Sequence, residues 1–321
     1  MSSKQWSETL LRQLADGRDY TQEELASRLG MGVAEIAGQL EALATDGVPV
    51  EKEGAAYRLS PGTELLDEEA IRAALTPRAA SLLRELSIHV QIDSTSEELL
   101  RRGSPGAEVC LAEQQSAGRG RQGRPWVSPF GCNVYMSVSW AFSGGVRALE
   151  GLSLAVGVAL TDTFEALGID DVKLKWPNDA LRGGSKLAGI LVEIGGDPGG
   201  ACTAVIGIGI NLRMPEVDAA PVSQPWADLS DHAPGRNRLV AELLNRLLPL
   251  LEDYETAGFA PWRERWVARH AWAGMTVRVL KRGGELVGRA LDLDDHGALR
   301  IATESGTELV HAGEVSLRVV P

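Results

Sequence analysis

The first 60 residues carry apolar side chains at helical spacing, interrupted by short glycine turns. The pattern predicts a helix over 8–15, a second helix that begins at Thr21, and a third over about 33–44. Thr21 and Glu24 have the spacing of a capping box, which favours a helix start at that point. The third helix places three apolar residues on one face: Ile36, Leu40 and Leu43. A hairpin-like stretch with Gly54 at its tip follows.

The next 200 residues alternate between helical and strand-like patterns. We expect helices near 67–75 and 77–86, strands near 89–92 and 108–113, and a long amphipathic helix over 237–256. The same criteria predict further elements, a helix over 151–168 and strands over 172–176, 187–194 and 202–210. Helices packed on a mostly antiparallel mixed sheet indicate an α+β fold rather than a doubly wound one.

Two regions have sequence patterns typical of partly exposed β-strands. Residues 132–140 alternate apolar Val134, Met136 and Val138 with polar neighbours, which is typical of a strand with one face towards solvent. From about residue 272 onward, short strands are broken by glycine-containing turns, which predicts a small β-barrel of about five strands.

The N-terminal pattern has the outline of a winged helix-turn-helix, because three helices with a glycine turn before the third are followed by a hairpin. However, the predicted third helix has no Lys or Arg and carries Glu35 and Glu41. Residues 1–60 contain six basic and ten acidic side chains, a net charge of −4. DNA affinity rests largely on phosphate neutralisation. Both DNA binding and a role as a protein-interaction or regulatory module therefore stay open for this unit.

Composition is that of an ordinary soluble protein, with 44% hydrophobic and 24% charged residues. No apolar run approaches the roughly 18 residues of a membrane span, and the N-terminus has no signal-peptide core. The three cysteines are far apart in the sequence, which favours a reducing cytoplasm over disulfides or a zinc site. The net charge of −12 leaves only a local basic surface for any contact with nucleic acid.

One basic segment runs against this acidic background: GRGRQGRPW, residues 118–126, called the 118–126 loop below. Its letters match the dinucleotide-binding pattern G-x-G-x-x-G, but that pattern needs a helix after its third glycine. Pro125 and Pro129 forbid such a helix, so we reject the dinucleotide interpretation. A glycine-rich arginine loop can approach a ligand closely and pair with phosphate or carboxylate oxygens. A solvated basic loop and an RGG-like nucleic-acid segment are the alternatives.

Three other stretches carry weaker signals. Ser94 and Thr95 each stand three positions before a glutamate, so helix capping explains part of that stretch. Lys186 enters an apolar strand after a glycine turn, and it either snorkels to solvent or faces a ligand. Asn211 ends a glycine-interrupted apolar strand, as a turn residue or as a polar contact.

Together, and in this order, these stretches closely resemble the biotin protein ligase family, in particular its bifunctional bacterial members that double as biotin operon repressors. The resemblance rests on DST (93–95), Gln115 with AGRGRQGRPW (117–126), KWPND (175–179), KLAGILVE (186–193), GIGIN (207–211) and GEVSLR (313–318). It implies a winged helix-turn-helix over 1–64, a class II synthetase-like catalytic domain that binds biotin and ATP over 65–270, and an SH3-like barrel over 271–321.

The resemblance also implies a two-step reaction. Biotin and Mg-ATP give biotinyl-5′-AMP, and a lysine of a biotin carboxyl carrier protein then attacks this adenylate. Such chemistry needs no protein nucleophile, and the five scattered histidines receive no role. The implied cofactors are ATP and Mg²⁺, without assigned magnesium ligands, and the implied partners include operator DNA and a second copy of the chain. A ligase whose N-terminal domain does not bind DNA and a lipoate-type acyltransferase are the rival interpretations.

Residue roles follow from the resemblance. It assigns the biotin ureido group to Ser94, Thr95 and Gln115, together with Ser96 at a position where the family commonly has Asn. Arg119, Gly120 and Arg121 would cover the carboxylate and the adenylate phosphate, with Arg119, Arg121 and Lys186 as the catalytic cations. The ATP side would be formed by Arg121, Trp126, Asn178, Asp179 and Asn211.

Overall fold

The N-terminal unit combines three helices with a small sheet. The computed structural model describes residues 6–103, 106–196, 202–219, 222, 224–232, 234–281, 284–312 and 316–319. Its first helices are α1 (Glu8–Leu14), α2 (Gln22–Leu29) and α3 (Val33–Thr45). Both bonds of the capping box between Thr21 and Glu24 are present, which confirms that predicted helix start. The antiparallel sheet has the order β1-β3-β2 and comprises β1 (Tyr20–Thr21), β2 (Val50–Glu53) and β3 (Ala56–Leu59).

A seven-stranded mixed sheet forms the centre of the chain. Its strands are β4 (Glu85–Ile92), β5 (Glu108–Gln115), β6 (Val134–Phe142), β7 (Val172–Lys175), β8 (Asp179–Arg182), β9 (Ser185–Gly196) and β10 (Cys202–Ile210). The order is β4-β5-β6-β10-β9-β8-β7, and only β4 and β5 pair in parallel. This arrangement confirms the predicted α+β class with a mostly antiparallel sheet.

Helices cover both faces of this sheet. They are α4 (Glu68–Ala73), α5 (Pro77–Leu82), α6 (Thr95–Arg102), α7 (Leu152–Ala166), α8 (Glu216–Ala219), α9 (Arg236–Ala257) and α10 (Ala260–Ala268). Helices α7 and α9 build the main hydrophobic core. Leu99 of α6 packs with Cys110 and Val205 in a separate cluster, so α6 covers the opposite face. No helix in the described ranges is long and apolar enough to cross a membrane.

Two sequence expectations for this region were wrong. The helix expected over 77–86 ends at Leu82, because the chain from Glu85 onward pairs with β5 as strand β4. The strand expected to expose one face, β6, is buried on both faces from Val134 to Ser139. Its polar positions lie under α6 instead of facing solvent.

The C-terminal residues form a five-stranded antiparallel sheet, which agrees with the predicted strand number. The order is β14-β13-β12-β11-β15, with β11 (Thr276–Lys281), β12 (Gly284–Leu293), β13 (Leu299–Thr303), β14 (Gly306–Val310) and β15 (Ser316–Val319). Of the string GEVSLR, residues 313–315 lie outside the described residues. The predicted divisions near 64 and 270 stay predictions.

Long-range contacts fix these parts around the central sheet. Phe130, which follows the 118–126 loop, is buried in the core of the N-terminal unit. The indole of Trp176 donates to the carbonyl of Gly297, in the turn between β12 and β13, at 3.0 Å. A buried ion pair, Arg236 Nη1 to Glu113 Oε2 at 2.5 Å, lies beneath the segment that leaves the N-terminal unit. Glu113 also accepts a hydrogen bond from the backbone of Leu66.

Candidate active site

A cleft on the α6 face of the central sheet collects almost all of the predicted site residues. Its walls come from the β4–α6 junction, the 118–126 loop, strands β6, β8, β9 and β10, and β15 of the C-terminal sheet. The predicted residues that line it are Ser94, Thr95, Ser96, Gln115, Arg119, Gly120, Arg121, Trp126, Asn178, Asp179 and Lys186.

One end of the cleft is built from buried hydroxyl groups. Thr95 Oγ1 lies 2.7 Å from Ser137 Oγ, and Ser96 Oγ lies 2.9 Å from the same atom. Gln115 Oε1 accepts from the backbone N–H of Thr95 at 2.9 Å, while Ser94 caps α6. We call Thr95, Ser96 and Ser137 the hydroxyl cluster. The sequence did not identify Ser137 as a site residue, because the alternating pattern of β6 placed its polar positions on a face expected to meet solvent.

The 118–126 loop closes on itself as a short hairpin. Trp126 N–H donates to Gly118 O at 2.8 Å, and Gly120 N–H donates to Arg124 O at 2.7 Å. A 3-10 turn over Arg121–Gly123 forms its tip, and no α-helix follows it, as expected from the prolines. A Cβ atom at Gly209 would overlap the Trp126 indole, so this glycine lets the aromatic ring lie against β10.

The two arginines of the loop have different surroundings. Arg119 forms ion pairs with Glu97 at 2.8 Å and Glu193 at 2.9 Å. Arg121 donates to Asn178 Oδ1 at 3.3 Å and to the carbonyl of Ala312 at 2.6 Å, which ties the tip of the loop to the C-terminal sheet. Burial lowers the pKa of Arg121, although Asp179 opposes this effect. Both side chains line the cleft.

Charged groups at the far end of the cleft form a compact set. Asp179 bridges two ammonium groups, with Lys186 Nζ at 2.7 Å and Lys175 Nζ at 3.2 Å. Burial alone would raise the pKa of Asp179, but Lys186 and then Lys175 lower it below its ordinary value. Lys186 also lies 5.3 Å from the centre of the Trp126 ring. Lys186 therefore does not snorkel to solvent. Its ammonium group points into the cleft and is paired with Asp179.

Asn211 is the one predicted site residue that does not line the cleft within the described residues. Its side-chain N–H groups donate to the carbonyls of Lys186 at 3.4 Å and Ala227 at 3.1 Å. Its Oδ1 is buried without a hydrogen-bond partner in the described part of the chain. Through these hydrogen bonds Asn211 fixes the position of the strand that carries Lys186. The contact of Asn211 with ATP stays a prediction.

Oxygen donors for a magnesium ion exist in the cleft. Asp179 and Asn178 line its polar end, and hard cations such as Mg²⁺ prefer oxygen ligands. Magnesium sites at nucleotides commonly use one or two carboxylates and complete the shell with phosphate and water oxygens. The described residues contain no cluster of three or more His, Cys, Asp or Glu side chains. The residues present thus fit a magnesium ion bound mainly through ATP.

Comparison with known proteins agrees with this geometry. Residues 87–211 match the model of the Biotin/lipoate A/B protein ligase family, and residues 274–318 match the biotin protein ligase C-terminal domain. The chain is similar to the structure of the biotin protein ligase from Aquifex aeolicus in complex with biotin and ATP. That similarity has a TM-score of 0.64 and 26% identity, and it covers 74% of this chain and 100% of the other.

Two curated relatives are similar over different lengths. The biotin–[acetyl-CoA-carboxylase] ligase of Mycobacterium tuberculosis is 37% identical, over 78% of this chain and 95% of its own length. The bifunctional ligase/repressor BirA of Salmonella typhimurium is 37% identical over 97% of both chains. Because this similarity extends over nearly the whole length, the chain belongs to the biotin protein ligase family.

Proposed function

We propose that the protein is an ATP-dependent ligase that converts biotin to biotinyl-5′-AMP and transfers the biotinyl group to one lysine of a biotin carboxyl carrier protein. The observation that carries this proposal is the polarity of the cleft. Neutral hydroxyl and amide groups form one end, and Lys186, Arg121 and Asp179 form the other. This order fits a ligand with a neutral hydrogen-bonding head and an anionic tail.

The neutral end of the cleft would hold the ureido ring of biotin. A cyclic urea offers two N–H donors and one carbonyl acceptor, and the hydroxyl groups of Ser94, Thr95 and Ser96 can both donate and accept. Gln115 already orders this end through its bond to the Thr95 backbone. A buried polar ligand group is strongly favoured where such partners are prearranged.

The charged end would promote adenylate formation. The biotin carboxylate must approach the α-phosphate of ATP, and both groups are negatively charged. Fixed cations lower this repulsion, and their effect is larger in a site that excludes water. Lys186 and Arg121 supply these charges, and the absence of a side chain at Gly120 leaves room for the ligand beside them. Magnesium bound with ATP would neutralise phosphate charge, with Asp179 and Asn178 as the protein oxygens that fit it.

The second step would need only positioning. The amine of the carrier lysine attacks the carbonyl carbon of the adenylate, the bond to the phosphate oxygen breaks, and AMP leaves. Trp126 forms a wall of the cleft against Gly209. The hairpin of the 118–126 loop would keep water away from the reactive adenylate until the carrier binds.

Two measurements test this activity against its lipoate rival. Purified protein should release pyrophosphate from ATP in a biotin-dependent manner, and unlabelled biotin should suppress labelling of a carrier domain. Lipoate at the same concentration should have little effect on that labelling. Pyrophosphate release that depends on lipoate rather than biotin would overturn the biotin assignment.

The N-terminal unit supports a second role, as a biotin-responsive repressor of biotin synthesis genes. Similarity to a bifunctional ligase/repressor includes this unit, whereas the shorter ligase relative covers 78% of the chain. We propose domains over 1–64, 65–270 and 271–321, with a winged helix-turn-helix, a class II synthetase-like core and an SH3-like barrel. The three helices and the hairpin of β2 and β3 support the first of these.

We also propose a cytoplasmic homodimer that binds operator DNA through this unit. The three free cysteines support a reducing compartment. DNA from upstream of biotin genes should shift in a biotin-dependent and salt-dependent manner in gel electrophoresis. If ligation is intact and no biotin-dependent shift occurs, the chain is a ligase whose N-terminal unit does not bind DNA.

A further inference from the structure

The hydroxyl cluster lies beside one acceptor whose orientation is fixed. Thr95 and Ser96 begin helix α6, Ser137 lies on β6, and all three residues are at most 5% exposed. Gln115 Oε1 accepts from the backbone N–H of Thr95 at 2.9 Å and from the hydroxyl of Thr95 at 3.2 Å. Because a backbone N–H can only donate, its contact identifies which atom of the Gln115 amide is the oxygen.

One arrangement of the hydroxyl protons gives each of them an acceptor inside this group. Gln115 Oε1 can only accept, so the Thr95 hydroxyl donates to it and accepts from Ser137, whose oxygen lies 2.7 Å away. Ser137 has a single proton, and it therefore accepts from Ser96 at 2.9 Å. The resulting hydroxyl chain starts at Ser96 and ends at Gln115.

The opposite direction of the chain is disfavoured for two reasons. The Ser96 proton would have no acceptor among the contacts of the described residues. In addition, Thr95 Oγ1 and Gln115 Oε1 would face each other at 3.2 Å with lone pairs only. Buried polar groups are rarely left without a partner, because the loss of hydration is then not compensated.

The direction of the chain determines what the cleft offers to a ligand. Ser96 uses its proton on Ser137, so its oxygen can only accept from a ligand. The oxygen of the Gln115 amide is occupied by Thr95, so this side chain can only donate. Its Nε2 carries two N–H groups, of which one donates to Ser128 Oγ at 3.3 Å. Ser96 and Gln115 both line the cleft, as an acceptor and a donor.

A glycine keeps the Ser96 oxygen accessible from the cleft. Gly207 of β10 pairs with Ser137 of β6, and both residues line the cleft. A Cβ atom at position 207 would lie only 2.8 Å from Ser96 Oγ. A side chain at this position would therefore cover the acceptor, whereas glycine leaves it open.

We propose that Ser137 is a positioning residue that determines specificity, because it fixes the direction of the hydroxyl chain. The chain makes the cleft select a ligand with an N–H group next to a carbonyl group. This inference rests on the proposed ligase function for its ligand, since the cyclic urea of biotin has this arrangement. The dithiolane ring of lipoate has no N–H group and would leave the Ser96 oxygen buried without a donor.

The substitution Ser137→Ala interrupts the chain, and Ser139→Ala is its matched control. Ser139 lies on the same face of β6, is 1% exposed, and donates to the carbonyl of Gly106 at 2.9 Å. In biotin-dependent pyrophosphate release, Ser137→Ala should raise the KM for biotin about fivefold, the effect of one hydrogen bond. The kcat should stay within about twofold, because the reacting carboxylate is not touched. Ser139→Ala should match the wild type in both constants.

Analogues of biotin give a readout that a general loss of stability does not change. Two analogues are needed, each with CH2 in place of one ureido N–H. For the wild type and Ser139→Ala, the KM of the analogue that lacks the N–H facing Ser96 should be about tenfold that of biotin. For Ser137→Ala this ratio should fall to about twofold, because the Ser96 hydroxyl can then rotate. Any effect of analogue shape is shared by all three proteins.

Neutron diffraction from ligand-free wild-type crystals exchanged into D2O locates the hydroxyl deuterons directly. The Ser137 deuteron should point towards Thr95, and the Ser96 deuteron towards Ser137. Deuterons in the opposite direction overturn the proposal, and so do analogue ratios that are the same in Ser137→Ala and Ser139→Ala. A wild-type protein that does not use biotin would instead contradict the ligase function, and the neutron map would still decide the direction of the chain.

Discussion

The ammonium group of Lys186 lies 2.7 Å from a carboxylate oxygen of Asp179, across the hairpin formed by strands β8 and β9. The second oxygen of Asp179 faces Lys175 at 3.2 Å. All three side chains are at most 22% exposed, so these pairs lie in a poorly solvated part of the cleft. The arrangement keeps a cation and an oxygen ligand side by side where a carboxylate must meet a nucleotide phosphate.

The substitution Asp179→Asn should lower the free energy of unfolding at neutral pH. In acid, the variant and the wild type should be equally stable. Since the folded-state pKa of Asp179 is lowered, its contribution is fully present above its unfolded pKa of about 3.9. It is lost as the pH falls through the lowered folded-state pKa. The loss at pH 6 should be roughly 2 kcal/mol, below the range for a fully buried pair.

Urea unfolding of wild type and Asp179→Asn between pH 6 and pH 2.5 measures this difference. The difference in the free energy of unfolding between the two proteins should decrease as the pH falls from 6 to 2.5. A gap that stays constant over the whole range would contradict the ion-pair interpretation.

Replacement of Lys186 by Met should slow adenylate formation. The side chain lies beside Trp126 and can be replaced by an apolar chain of similar length. Loss of a charge-assisted contact of about 1.5–3 kcal/mol corresponds to a decrease of roughly 10- to 150-fold in kcat/KM. Single-turnover measurement of pyrophosphate release checks this step alone. A rate within twofold of wild type would show that Lys186 does not promote adenylate formation.

The variant Arg121→Gly should let the adenylate escape from the cleft. Arg121 connects the loop tip with Asn178 and with the carbonyl of Ala312. Without these bonds the loop loses its attachment to the C-terminal sheet, and released biotinyl-AMP reacts with lysines of unrelated proteins. Arg124→Ala is the control, because Arg124 bonds to Gln122 within the exposed loop. Mass spectrometry of a mixture of carrier and bystander protein provides the measurement, and labelling confined to one carrier lysine would exclude the gating role.

The buried pair of Arg236 and Glu113, which joins helix α9 to strand β5, should contribute strongly to the stability of the protein. Both side chains are at most 4% exposed. Arg236→Met leaves the Glu113 carboxylate without its cation and should cost about 3–5 kcal/mol. Arg246→Met, on the same helix α9, removes a surface pair with Glu242 and should cost about 1 kcal/mol or less. Equal losses in urea unfolding would contradict the assignment.

Local sequence patterns predicted much of the fold because they act over short distances. The Thr21–Glu24 capping box and the prolines after Gly123 each decide a backbone conformation within a few residues. The helix expected over 77–86 failed because pairing with β5, more than 20 residues away, determines where β4 begins. Local propensity does not contain that information.

The site residues that belong to short sequence motifs could be predicted. Those brought together by contacts between distant segments could not. Ser137 was missed because helix α6 covers the polar face of β6, so that this serine bonds to Thr95 within the cleft instead of facing solvent. The contact of Arg121 with Ala312 joins residues 191 positions apart, so the C-terminal sheet could not be assigned to the site from sequence. Glu193 is the last residue of the motif KLAGILVE, but its pairing with Arg119 depends on the packing of distant segments.

Transfer of biotin to a single lysine is the activity that defines a biotin protein ligase. Purified protein, biotin, ATP and a biotin carboxyl carrier domain should give a carrier that gains the mass of one biotinyl group, located on one lysine by peptide mapping. The gain should require both biotin and ATP. A carrier whose mass stays unchanged under these conditions would show that the protein does not transfer biotin.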